Sequence, residues 1–103
     1  METLGQLFTS GLWIVKPGKE ADFIRAWDDF AKWTSERQPG AGHGHLLQDL
    51  ETSTQFLSFG PWESAERIAE WRASSGFAEF FAKARELCSE IQPRTLKLVA
   101  QTN

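Results

Sequence analysis

LFTSGLWIVKPGKEADFIRAWDDFAKWTSERQ, residues 7–38, decides the fold, because its hydrophobic period changes once, at a turn. From Leu7 to Val15 both alternating faces are apolar, with Leu7, Trp13 and Val15 on one and Phe8, Leu12 and Ile14 on the other. That pattern predicts a strand covered on both sides and ended by Lys16-Pro17-Gly18. Beyond the turn the spacing becomes helical. Phe23, Trp27, Phe30 and Thr34 recur at i, i+4, i+7 and i+11, widened by Ile24 and Ala31. Asp28, Asp29, Lys32 and Glu36 mark the wet side, and Gln38-Pro39-Gly40 stops the helix that began near Lys19.

Working outward, His43 to Glu51 and Gln55 to Gly60 read as two strands joined as a hairpin through a polar turn at Glu51-Thr52-Ser53-Thr54. Pro61-Trp62-Glu63-Ser64 opens a second helix, with Ser64 as N-cap and Ile68 and Trp71 facing inward. Ser74-Ser75-Gly76 interrupts it. The helical spacing then resumes through Phe77, Phe80, Phe81, Ala84, Leu87, Cys88 and Ile91 until Pro93, and Arg94 to Gln101 supplies a last strand. The order βαββαβ predicts an α+β, ferredoxin-like protomer in one domain over 1–103, with an antiparallel sheet and both helices on one face. The second apolar face of the first strand, with Leu57 and Phe59 or Phe56 as neighbours, needs a lid. A second copy of the chain is the simplest one, so a homodimer is expected.

Composition narrows the function classes. A length of 103 residues allows one domain. A net charge of -3 gives no pull toward nucleic acid or acidic lipid, so no nucleic-acid partner is expected. No apolar run approaches the roughly 20 residues that span a bilayer, so no membrane partner is expected either. Met1 to Phe8 lacks the pattern of a signal peptide, making cytoplasm the default location. Cys88 is the single cysteine, which excludes an internal disulfide and a multi-cysteine zinc site. Five Trp and eight Phe with no Tyr make the aromatic content unusual, and composition alone names no function.

Four places in the chain are specific enough to suggest a family. They are Val15-Lys16-Pro17-Gly18 before Glu20-Ala21-Asp22-Phe23, then Pro39-Gly40, then His45-Leu46-Leu47-Gln48-Asp49, and Pro61-Trp62-Glu63-Ser64 with Trp71, Ser74 and Phe77 following. Over about Leu7 to Val99 the chain resembles the antibiotic biosynthesis monooxygenase family of dimeric α+β barrel proteins. The resemblance implies a dimer with a hydrophobic pocket between sheet and helices in each protomer. It also implies oxidation of a small aromatic or quinol-like compound by molecular oxygen, with no cofactor and no metal. Haem-degrading relatives place a histidine ten residues after the helix tryptophan. Here that position is Phe81, and Asn103 is the sole asparagine, so haem degradation is not expected.

Candidate site residues divide by chemistry. His43 and His45, two apart on a strand, share a face, and a neutral imidazole can take a proton near pH 7, so both are candidate catalytic bases. Their bland reading is a pair of partly exposed residues after a glycine-rich turn; with Asp49 as a third ligand they would make a weak metal site. Trp13, Trp33, Trp71, Phe77 and Phe81, with Arg72, are candidate substrate-binding residues, since an indole N–H wants a polar partner that a pocket provides. Phe77, like Phe23, Trp27, Phe30 and Phe80, also reads as ordinary core. Gln48, Ser58 and Asp49 are further polar candidates. Cys88 in an apolar stripe reads as a small buried hydrophobe. Two functions follow: a cofactor-independent monooxygenase, or a non-catalytic dimeric module that binds a small hydrophobic or aromatic ligand.

Overall fold

The computed structural model describes residues 3–102. Strand β1 (Leu7–Val15) leads into helix α1 (Glu20–Arg37), followed by β2 (His45–Gln48), β3 (Gln55–Trp62), α2 (Ala65–Ala73), α3 (Ser75–Glu86) and β4 (Cys88–Lys97). The four strands form one sheet in the order β2-β3-β1-β4, every pair antiparallel. This is the ferredoxin-like α+β arrangement. Gly18 and Gly40, at φ +85° and +87°, occupy left-handed positions in the turns that bracket α1, where a side chain would be strained.

Alternation in the strands sorts the chain into two sheet faces. Trp13 and Val15 of β1 and Phe56, Ser58 and Trp62 of β3 are buried beneath the helices. Phe23 of α1, Ala84 of α3 and Cys88 complete one core cluster with Trp13, Val15 and Phe56. Phe30, Trp62, Ile68 and Trp71 form a second. Phe81 packs against both. The opposite face carries no helix. Leu57 there is 45% exposed, Leu47 52% and Leu96 46%, with half-buried Leu12, Ile14 and Phe59 between them.

The interruption expected at Ser74-Ser75-Gly76 falls at Ser74, which turns extended (φ -78°, ψ 151°) and whose hydroxyl caps α3 by accepting from the Phe77 N–H at 3.1 Å. The structure corrects three boundaries. The strand expected over His43 to Glu51 covers only His45–Gln48, because Asp49 draws the N–H groups of Glu51 and Thr52 into a turn. Strand β3 runs two residues past Gly60, and its Trp62 indole donates to Thr9 Oγ1 across the sheet. The helix expected to continue to Ile91 ends at Leu87, and β4 starts at Cys88, ahead of Pro93. A bulge explains the misleading pattern. Ile14 pairs with Glu90 but Val15 with Cys88, so Ser89 is an extra residue and both Cys88 and Ile91 turn inward at a spacing of three. Pro93 is tolerated because β4 is an edge strand, bonded on one side only.

Candidate functional site

Where the two core clusters meet, the interior does not close. A cleft lies between the inner sheet face and the three helices. Its floor is a block of small residues set by strand register. Thr9 pairs with Gly60 and Gly11 with Ser58, and all four line the cleft. Next along the strands stand the large residues Trp13 and Trp62, which wall the floor at its two ends. Trp27, Phe30 and Thr34 of α1, Trp71 and Arg72 of α2, and Phe77 and Phe81 of α3 form the roof and mouth.

The rings are held by one another. Phe30 stacks on Trp71 with centroids 5.6 Å apart, Trp71 meets Phe77 edge-on at 4.8 Å, and Phe77 stacks on Phe81 at 5.0 Å. Phe81 in turn lies 5.7 Å from Trp13. Contacts at these separations add about 0.5–1.5 kcal/mol each beyond area burial, so the aromatic walls support one another.

Every indole N–H lining the floor or roof through Trp13, Trp62 or Trp71 is answered by a hydroxyl. Trp13 Nε1 donates to Ser58 Oγ at 3.0 Å, Trp62 Nε1 to Thr9 Oγ1 at 3.1 Å, and Trp71 Nε1 to Thr34 Oγ1 at 3.0 Å. Among the described residues, no buried side-chain nitrogen or oxygen is left without a partner. Arg72 lies at the mouth. Its guanidinium donates to Thr95 Oγ1 at 2.8 Å and to the Arg94 carbonyl at 3.3 Å, and its centre sits 5.9 Å over the Trp71 ring. Partial burial pulls its pKa below the ordinary arginine value, which leaves it a cation at neutral pH.

Of the residues singled out in the sequence, Trp13, Trp71, Arg72, Phe77 and Phe81 come together around this cleft. Trp33 does not. Its ring stacks on Phe80 at 5.2 Å and covers Gly76, where an added Cβ would lie 2.1 Å from the indole. His43 and His45 are exposed and absent from the lining. His45 heads β2 opposite Phe59 and stacks on that ring at 5.3 Å, while His43 precedes the strand, so the two do not share the strand face their spacing suggested. Asp49 instead accepts the backbone N–H groups of Thr52 and Glu51 in a turn, which lowers its carboxyl pKa, and Gln48 donates to the Ser53 carbonyl. Burial raises the Cys88 thiol to about 11, partly opposed by Lys16, so it stays protonated and unreactive. Among the described residues, no group of three or more His, Cys, Asp or Glu side chains is placed to hold a metal. No described helix is long and apolar enough to cross a membrane.

Thr9, Gly11, Trp27, Thr34 and Trp62 were not anticipated as lining. Trp27 and Thr34 sat at core spacing, and Trp62 lay in a segment expected to start a helix. The small inward positions 9, 11, 58 and 60 were the available signal, legible once β1 and β3 are set in register.

The family model described as antibiotic biosynthesis monooxygenase matches residues 11–83. No curated protein matches the sequence. Among solved structures, SnoaB, a cofactor-independent oxygenase from Streptomyces nogalater, is 19% identical over 95% of this chain and 96% of its own, with a TM-score of 0.83. A Bordetella bronchiseptica protein described as a candidate antibiotic biosynthesis monooxygenase is 22% identical over 93% and 99%, with a TM-score of 0.82. A conserved protein from Methanosarcina mazei is 18% identical over 92% and 94%, with a TM-score of 0.81. At these identities the likeness is one of fold.

Proposed function

The chain belongs to the antibiotic biosynthesis monooxygenase family, and from that premise we propose that it oxygenates a small planar aromatic compound with molecular oxygen, without a bound cofactor. The observation that carries the reading is the aromatic cleft between sheet and helices. Trp13, Trp71, Phe77 and Phe81 offer stacking surfaces for a flat substrate, with Arg72 at the entrance. SnoaB, named as a cofactor-independent oxygenase, shares the fold.

The chemistry fits an anthrone-type substrate. Loss of a proton gives an electron-rich anion, which passes one electron to oxygen; the radical and superoxide combine as a peroxide, and loss of water leaves a carbonyl. In sum a CH2 group and O2 become C=O and H2O. The substrate supplies all the electrons, so no reductant is needed. The contribution of the protein is to hold the ring in a dry aromatic slot and to stabilise the anion electrostatically.

A homodimer completes the proposal. The open sheet face presents Leu47, Leu57 and Leu96 with Leu12, Ile14 and Phe59, an apolar patch that a second copy of the same face would bury.

A second reading, a non-catalytic binding module, is favoured by one fact: of the described residues that line the cleft, Arg72 alone is titratable. Oxygen uptake with anthrone in the presence of a chelator separates the two. The enzyme consumes one O2 per anthraquinone formed, above the spontaneous rate, and slows in Trp71→Ala. Quenching of tryptophan fluorescence without uptake supports the binding module, and neither effect overturns both.

A further inference from the structure

Three hydroxyls and one guanidinium among the cleft's polar side chains have protons to offer a ligand. The hydroxyls of Thr9, Thr34 and Ser58 each spend acceptor capacity on an indole N–H, and none has an acceptor for its own proton among the described residues. A hydroxyl keeps one donor whatever it accepts, so each is left with a proton to give. Ser58 is only 8% exposed, which leaves the cleft as the outlet for that proton. Arg72 adds a cation, and its two contacts go to a hydroxyl and a carbonyl. The ion pairs formed by described residues are Arg25 with Asp22, Lys32 with Asp28, and Arg67 with Glu70. Arg72 is in none of them. Among the described residues, no Asp, Glu, His, Lys or Cys lines the cleft. A flat apolar slot that offers donors and one uncompensated positive charge is complementary to an aromatic ring bearing oxygens that accept, and best to one bearing negative charge.

We propose that the cleft selects acidic hydroxyaromatic or hydroxyquinone compounds and binds them as their anions, with the ionised oxygen at Arg72 and the ring packed against the aromatic wall that Trp71 and Phe77 form. This deepens the functional reading above and rests on the same cleft being the substrate site. It also accounts for a lining without a base. An arginine beside the oxygen lowers the pKa of the bound hydroxyl, and the proton leaves to water at the mouth. For a reduced hydroxyaromatic such as an anthrol or quinol, the anion that remains is the form able to give an electron to oxygen, whereas a hydroxyquinone anion binds without reacting.

A matched pair of ligands tests the idea at neutral pH. 2-Hydroxy-1,4-naphthoquinone is ionised there, and 2-methoxy-1,4-naphthoquinone has the same rings with that oxygen capped. Each is titrated against tryptophan fluorescence, with absorbance correction, in the wild-type protein, Arg72→Gln and Arg72→Lys. The hydroxy compound is expected to bind wild type at least about tenfold more tightly than the methoxy compound, the scale of one charge-assisted hydrogen bond. Arg72→Gln should bring the pair to within about twofold by weakening only the anion, and Arg72→Lys should fall between. Equal binding of both compounds by wild type would overturn the anion preference while leaving the cleft as the ligand site. A preference that persists unchanged in a folded Arg72→Gln protein would overturn the role of Arg72. Absence of quenching by either compound would remove the cleft reading itself.

Discussion

Replacing Gly11 with alanine sets two physical effects against each other at the floor of the cleft. Glycine inside a strand gives up more chain entropy on folding than alanine does, so the substitution alone should stabilise by about 0.5–1 kcal/mol. A Cβ at position 11, however, would lie 2.7 Å from Trp13 Nε1, 3.0 Å from Trp13 Cε2 and 3.1 Å from Ser58 Oγ. Movement of the indole is resisted by its packing: Trp13 is 3% exposed and held by Phe23 at 5.2 Å and Phe81 at 5.7 Å. Overpacking of this kind costs about 1–3 kcal/mol, and a ring that does shift breaks the Trp13–Ser58 hydrogen bond, stranding a buried donor at a further cost of about 1–3 kcal/mol. The clash wins, and a net loss of about 2 kcal/mol is expected. Urea titration at one fixed protein concentration reads it as a lowered midpoint with an unchanged slope. Trp13→Phe removes the indole edge that the new methyl strikes, so Gly11→Ala in that background should be neutral or stabilising. If Gly11→Ala stabilises the wild-type protein as much as it does the Trp13→Phe variant, the packing argument for the floor is wrong.

Leu57→Glu places a charge in the open apolar sheet face and should shift the mass in light scattering from twice 11.7 kDa to 11.7 kDa; an unchanged dimer would mean that this face does not meet the partner. His43→Ala and His45→Ala should each keep oxygen uptake within about threefold of wild type, because neither lines the cleft, whereas loss of a general base costs 10²–10⁴-fold and would be unmistakable. Stability should carry a signature of Cys88 at alkaline pH. Its thiol titrates near 11 when folded against 9.0 in the reference state, so the unfolded chain releases the proton first and stability falls between those values; Cys88→Ala should flatten that slope.

Much of the architecture was legible because burial leaves a period in the sequence. The switch from strand to helix around Gly18, the Ser64 cap and the two-sided apolar character of β1 all appear in the structure where residue type alone put them. The C-terminal third was misread for a physical reason. Helical spacing of three between Cys88 and Ile91 is also what a strand shows across a one-residue bulge, and Ser89 supplies that bulge. Pro93 then looked like a terminator, although an edge strand accommodates it as readily as a helix end does.

The cleft was harder to read than the core because a core is made of residue types, whereas a cleft is made of pairings. Aromatic residues at helical spacing say only that a face is buried. Whether they close against a partner depends on what stands opposite, and that is set across 47 residues between Gly11 and Ser58 and 51 between Thr9 and Gly60. Had any of these positions carried a leucine, Phe30 and Trp71 would have had a ridge to pack on and the cleft would be filled. The same pairings fix its polarity. Three of the indoles donate to hydroxyls distant in sequence, Trp13 to Ser58, Trp62 to Thr9 and Trp71 to Thr34, so an aromatic wall and a floor of hydroxyls arise together from one set of contacts. Removing a floor hydroxyl therefore strands a buried indole N–H and takes a donor from the proposed ligand site. Under the proposed function, stability and recognition are coupled through the same hydrogen bonds.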